Sequence, residues 1–147
     1  MRRRQTMPER WLIVRGPDDR EAIVTALKLL PGSGVLLLGT LSAADMRRLR
    51  RRGLVVVRER RGSAQRVHDL RQLRRALIAR TPLILLSPTW PTSSHPSWKP
   101  IPRMRAGTLA RLAGGKLIAL GGMDGHRFAR IERLGFQAWA GISAFRT

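Results

Sequence analysis

Short apolar runs bounded by glycine or proline recur along the chain, and each is followed by a stretch whose apolar residues fall three or four apart. Strands buried on both faces read as continuous apolar runs, so this alternation predicts βα units that build a parallel sheet. Six strands stand out: Trp11 to Val14, Val35 to Leu38, Leu54 to Val57, Leu83 to Leu86, Leu117 to Leu120 and the less purely apolar Phe136 to Ile142. The first helix is expected from Asp18 to Leu30, with Asp18 or Asp19 as N-cap and Ile23, Leu27 and Leu30 on one side, stopping at Pro31-Gly32. Ser42 opens a second, Ala43 to Arg52, ended by Gly53, with Met46 and Leu49 as a narrow core stripe under a very basic outer face. A third is expected from about Ser63 to Arg80 on the stripe Val67, Leu70, Leu73, Leu77. A fourth, Arg105 to Leu112, and a fifth, Asp124 to Leu134 closed by Gly135, complete the alternation.

The expected fold is therefore α/β: a parallel (β/α), TIM-barrel-like fold, shortened, because six strands are recognisable where a closed barrel has eight and usually needs roughly 200 residues or more. Residues 1–8 are read as a flexible basic arm and 9–147 as a single barrel domain. Six strands leave an open seam or an unusual closure, and exposed sheet edges are commonly covered, so dimerisation across the gap is an expectation. The segment from Ser87 to Arg103, rich in Pro, Ser and Trp, is longer than most connections in compact domains and is the place to look for a site.

Composition narrows the chemistry. Of the chain's 147 residues, 43% are hydrophobic, enough to bury a core. No stretch approaches the roughly 18 to 20 apolar residues of a spanning helix, and the basic start is not followed by a signal-type segment, which leads us to expect a soluble, cytoplasmic protein that does not engage membranes. The absence of cysteine excludes disulfides, thiolate zinc sites and cysteine nucleophiles. A net charge of +20, nearly all arginine, selects anionic partners without choosing among nucleic acid, anionic membrane and phosphorylated metabolites. The plain reading of that charge is arginine decorating solvated faces. Basicity is not interleaved with aromatic platforms and no nucleic-acid motif is present, which argues against a nucleic-acid-binding module.

Ligands of parallel α/β folds sit at the carboxyl ends of the strands. Three such ends carry groups suited to phosphate. After Leu86 comes a proline-stiffened loop with the hydroxyls of Thr92, Ser93 and Ser94 and the imidazole of His95. After Leu120 come Gly121 and Gly122, whose missing side chains let backbone amides approach an anion at the start of the next helix. The last strand ends in Gly141-Ile142-Ser143-Ala144, a small residue, a hydroxyl and exposed amides. His95 is by its type equally a general acid/base, a phosphate contact or an exposed loop histidine. His68 reads as positional and His126 as solvated, while Trp90 and Trp98 are suited either to stacking on a flat heterocycle or to packing down the loop. No Ser-His-Asp arrangement, P-loop or metal-ligand cluster appears.

Taken in order, the stretch from Ser87 to Pro96, Leu117-Ile118-Ala119-Leu120-Gly121-Gly122-Met123 and Trp139-Ala140-Gly141-Ile142-Ser143-Ala144-Phe145 resembles thiamine-phosphate synthase and the TenI-type thiazole tautomerases. The resemblance covers about the last sixty residues. Val67-His68-Asp69-Leu70-Arg71 also looks like that family's fifth strand-helix junction, which suggests a deletion upstream. The resemblance implies that Thr92, Ser94 and His95 grip pyrophosphate and thiazole phosphate, with Ser94 and His95 as catalytic candidates. It further implies that Gly121 and Gly122 supply backbone amides to the thiazole phosphate and that Ser143 closes the site from the last strand, where Gly141 is a further phosphate-binding candidate. The implied reaction couples thiazole phosphate to hydroxymethylpyrimidine diphosphate with release of pyrophosphate, assisted by magnesium.

Departures from the family pattern bear on that chemistry. The second strand ends in Leu38-Gly39-Thr40-Leu41, not in diphosphate-binding side chains, and the third in Arg58-Glu59-Arg60, not in an Asn-Asp magnesium pair. The fourth family strand, with its magnesium carboxylate, has no counterpart. Glu59 is a candidate to replace one ligand, or an ion-paired surface residue. The sequence is compatible with a synthase-like transferase of thiamine biosynthesis, a thiazole tautomerase, a non-catalytic thiazole or thiamine phosphate binder, and a basic nucleic-acid-binding module.

Overall fold

In a computed structural model, residues 7–91 and 97–145 are described. The described residues form seven strands and five α-helices: β1 (Arg10–Val14), α1 (Arg20–Ala26), β2 (Gly34–Leu37), α2 (Ala43–Arg51), β3 (Val55–Arg58), β4 (Ala64–Val67), α3 (Leu70–Ile78), β5 (Leu83–Leu86), α4 (Arg103–Leu112), β6 (Leu117–Leu120), α5 (Gly125–Ile131) and β7 (Ala138–Gly141). The strands pair in the order β3-β2-β1-β7-β6-β5-β4, and every pairing is parallel. The sheet curls into a nearly closed barrel, so the expected parallel α/β architecture is what the chain adopts.

Alternate residues of each strand go to opposite sides, which explains the unbroken apolar runs. Trp11, Ile13, Leu36, Leu83, Leu85, Ile118, Leu120, Ala138 and Ala140 meet inside with Ala64, Val55 and Val57, so that all seven strands feed one interior cluster. The intervening residues pack outward against helices. Leu12, Val14, Val35 and Leu37 join Ile23 of α1 and Leu49 of α2. Val67, Ile84, Leu86, Leu117 and Trp139 join Leu73 of α3, Leu109 of α4 and Phe128 of α5.

The expected third helix is corrected. Its first turn is the seventh strand, β4, and the helix proper begins at Leu70 with Asp69 as N-cap, its Oδ1 accepting from the Gln72 amide at 2.8 Å. Ala64 packs inside the barrel and Val67 outside, with polar Gln65 and Arg66 between. A four-residue strand with two polar positions leaves too little apolar signal, and the spacing of Val67, Leu70 and Leu73 imitates a helical stripe. The count of six strands is thereby corrected to seven. The junction at Val67 to Arg71 does lie where a strand passes into a helix.

Caps follow the sequence where local chemistry suffices. Ser42 Oγ accepts from the Asp45 amide and Asp124 Oδ1 from the Arg127 amide, and Gly135 ends the 3₁₀ turn after α5 at φ 113°. Asp19 stands at the start of α1, but its carboxylate accepts from the Arg15 amide instead of a helical one, and α1 ends at Ala26, short of Leu30. Pro8, assigned to the arm by the sequence reading, is buried, and its carbonyl accepts from the Trp11 indole N–H at 3.0 Å. No helix among the described residues is long and apolar enough to cross a membrane.

α1 and α2 are joined by an ion pair. Arg20 Nη1 lies 2.8 Å from Asp45 Oδ2, and Arg48 lies 3.5 Å from Oδ1. The Arg20 hydrogen bond, opposed by burial, holds the Asp45 carboxyl below its usual range. A lowered folded-state pKa stabilises the fold above the unfolded value, and that stabilisation disappears as pH falls through the folded value. Wild type is therefore expected to exceed Asp45→Asn in melting temperature above about pH 4 and to lose that advantage progressively below it. A constant difference in thermal unfolding from pH 7 down to about pH 2 would show that the carboxylate charge is not involved.

Candidate functional site

The carboxyl ends of the strands surround a cavity of about 900 Å³. Its floor is apolar, from Ile13, Leu38, Leu120 and Ile142, and the rest of the lining mixes arginines, glycines and serines with Pro88, Pro91, Trp98 and Met123. Gly121, Gly122, Gly141 and Ser143 all line it, so four predicted residues from the ends of β6 and β7 come together on one side of the mouth. Thr92, Ser94 and His95 lie outside the described residues; Pro91 before them and Trp98 after them line the same cavity.

Gly122 occupies a place only glycine fits. Its φ is 61°, and a Cβ would lie 2.2 Å from the Pro91 carbonyl oxygen. The turn is thus shaped first by close packing of the segment after β5 onto the end of β6. Thr89 clamps the same junction, its amide and its hydroxyl each meeting the Leu120 carbonyl at 3.0 Å. Among the described residues, the amides of Gly121 and Gly122 donate to no backbone acceptor.

Three arginines that the sequence reading left among the solvated ones also line the cavity: Arg15 just past β1, Arg66 on β4 and Arg127 in the first turn of α5. Arg127 is held in place. Its Nη1 donates to the Gly122 carbonyl, its guanidinium lies 5.4 Å from the centre of the Trp90 ring, and its Nε is 3.8 Å from Asp124 Oδ2. Trp90 is thereby engaged with Arg127 and the outer core, leaving Trp98 as the tryptophan on the cavity. Arg66 is held by Glu59: Nη2 donates to Oε1 at 3.0 Å, and Nε lies 2.8 Å from Oε2 in an ion-pair contact without hydrogen-bond geometry. Arg15 had a readable signal, since it directly follows a strand. Arg66 was hidden with its strand, and nothing in a helical pattern distinguishes Arg127 from its neighbours.

His68, read as positional, places a ring nitrogen 2.7 Å from the Ser87 carbonyl and so ties the end of β4 to the end of β5. The His126 side of α5 is exposed. A magnesium site does not fit the described lining. Magnesium takes oxygen ligands in octahedral array, usually one or two carboxylates with waters and substrate phosphates, whereas the described cavity residues include three guanidinium groups and no carboxylate, and Glu59 is committed to Arg66. Among the described residues no group of three or more acidic or histidine side chains is gathered in one place.

Fold and rim define a parallel α/β barrel protein whose strand ends enclose a basic cavity. No protein-family model and no curated protein matches the chain. Among solved structures, one described as "Native KDPGal structure" superposes with a TM-score of 0.53 at 14% identity, covering 94% of this chain and 84% of that one. A designed cube-shaped, highly porous cage, built by fusing symmetric oligomeric domains, matches with a TM-score of 0.53 at 14% identity over 95% of this chain and 64% of the other. At such identity these likenesses concern the fold alone.

Proposed function

We propose that the protein binds a phosphorylated heterocycle at the carboxyl mouth of its barrel, with thiazole phosphate, the ligand suggested by the resemblance to thiamine-phosphate synthase and TenI-type proteins, as the first candidate. The observation that carries this reading is the meeting of Gly121, Gly122, Gly141 and Ser143 with Arg15, Arg66 and Arg127 around one cavity. Backbone amides and a hydroxyl supply directional hydrogen bonds to phosphate oxygens, and guanidinium groups supply charge and bidentate geometry. A charge-assisted hydrogen bond contributes about 1.5–3 kcal/mol, so two or three of them give about 3–9 kcal/mol to set against an association cost of about 4 kcal/mol or more, with burial of the ring on the apolar floor adding to the balance. The apolar floor and Trp98 suit a flat ring.

The reading is binding in preference to coupling. Coupling to a pyrimidine diphosphate asks for magnesium, and the described rim offers arginine where that ion needs carboxylate. Isothermal titration with thiazole phosphate, inorganic phosphate and pyrophosphate is expected to give saturable binding that weakens with salt. Incubation with both heterocyclic phosphates and magnesium is expected to leave them unchanged. Formation of thiamine phosphate would replace the binder by the transferase, and absence of binding to all three anions at low salt would remove the reading altogether.

A further inference from the structure

A second basic region lies outside the cavity, and it arises from the shortened barrel. Between positions 47 and 80 the chain carries 13 of its 29 lysines and arginines and only two of its nine carboxylates. Both carboxylates are engaged, Glu59 with Arg66 and Asp69 with the Gln72 amide. On α2 the buried Asp45 and Leu49 face the core, while Arg47, Arg50 and Arg51, three and four residues apart, are exposed. On α3 Leu73 and Ala76 face the core, while Arg71, Arg74 and Arg75 are exposed with the same spacing. That spacing sets three guanidinium groups on one side of each helix.

The topology places these two helices on the two sides of the gap in the sheet. α2 packs on β3 and α3 on β4, and β3 and β4 are the two ends of the sheet that nearly meet. A regular barrel would place a helix between them; here residues 59–63 connect the strands directly, with a bridge between Arg60 and Ala64. The outer core is accordingly split into two clusters, one under α1 and α2 and the other under α3 to α5. The seam is flanked on one side by the arginines of α2, on the other by those of α3, and is crossed by a connection bearing exposed Arg60 and Arg61, with exposed Arg58 ending β3 just before it.

We infer that this arginine-flanked seam binds the phosphodiester backbone of a nucleic acid, independently of the cavity. Arginine on two successive elements matches a repeating anion better than a single small one, since each neutralised phosphate releases condensed counterions and many contacts add along a polymer. The contacts expected are to phosphate, without base readout, so affinity is steep in salt and indifferent to sequence. An anionic membrane is the less suited partner, because an interfacial helix needs a large apolar face, whereas α2 exposes no large apolar side chain and α3 exposes two, Leu70 and Ile78, at opposite ends of the helix.

The test uses the full chain and labelled single-stranded and duplex oligonucleotides, titrated by fluorescence anisotropy between about 50 and 200 mM salt. Two triple variants remove the seam arginines: Arg47, Arg50 and Arg51 to Gln, and Arg71, Arg74 and Arg75 to Gln. A third, Arg103, Arg130 and Arg133 to Gln, removes the same charge from a different basic hollow between α4 and α5. All nine side chains are exposed, so folding, checked by circular dichroism, is expected to survive. Each seam triple is expected to lower affinity by about tenfold or more and to reduce the salt slope by about 2, with less than about a threefold change for the third. Equal losses in all three would show attraction by net charge alone and overturn the inference. So would the absence of binding at about 100 mM salt, or binding to phosphatidylserine vesicles without binding to oligonucleotides.

Discussion

Arg127→Met is expected to weaken binding of a phosphate ester by about ten- to a hundredfold, the loss that follows when one charge-assisted contact is removed from a partly enclosed site. The side chain is already oriented before any ligand arrives. The Gly122 carbonyl accepts from Nη1 and the Trp90 ring lies beneath the guanidinium, so little rotamer entropy is left to lose on binding. The same contacts give Arg127 a second task, holding the turn that carries the Gly121 and Gly122 amides. Arg127→Lys separates the two, because lysine keeps the charge but has neither the planar stack nor the fork geometry. If charge at the cavity dominates, the lysine variant recovers most of the affinity at low salt. If positioning of the turn dominates, both variants lose affinity and melting temperature together. Titration calorimetry with thermal unfolding on the same samples distinguishes these results, and wild-type affinity in the methionine variant would remove Arg127 from the site.

Trp11→Ala is expected to cost about 3–5 kcal/mol of folding stability, a large share of what a domain of this size possesses. The indole is fully buried inside the barrel, where every strand contributes to the cluster around it, and its N–H is satisfied by Pro8. Its ring lies flat against Gly34 of the neighbouring strand, so closely that a Cβ there would lie 2.4 Å from it. Gly34→Ala approaches the same contact from the other side by overfilling it, and is expected to destabilise by about 1–3 kcal/mol or more. Urea unfolding should show lower midpoints with unchanged slopes for both. Trp11→Phe, which keeps an aromatic ring but not the hydrogen bond, is expected to fall between wild type and alanine. A cost below about 1 kcal/mol for Trp11→Ala would mean that the barrel interior is not the main core.

The alternation of strand and helix was legible because both faces of a parallel strand are covered, which forces unbroken apolar runs such as Leu83 to Leu86 and Leu117 to Leu120. Caps at Ser42 and Asp124 were legible because a side-chain oxygen and an amide three residues on meet through local geometry. Gly121, Gly122, Gly141 and Ser143 were legible as rim residues because the carboxyl ends of parallel strands all open on one side. β4 escaped because two of its four residues are polar, and Asp19 departed from its expected cap because Arg15 offered it another amide.

What the sequence by itself determined, then, is the order of elements, the sidedness of each one and the groups available at each strand end, all of which depend on spacings of two to four residues. Only the tertiary structure decided which arginines matter where. Arg66 turns into the cavity mouth while Arg71, five residues on, faces solvent, and Arg15, Arg66 and Arg127 share one hollow although more than a hundred residues separate the first from the last. Strand order and the curl of the sheet set these neighbours, and a short connection between β3 and β4 draws α2 and α3 to the same seam. Periodicity fixes the side to which a residue points, whereas its neighbours depend on chain closure over long separations, which no local pattern encodes.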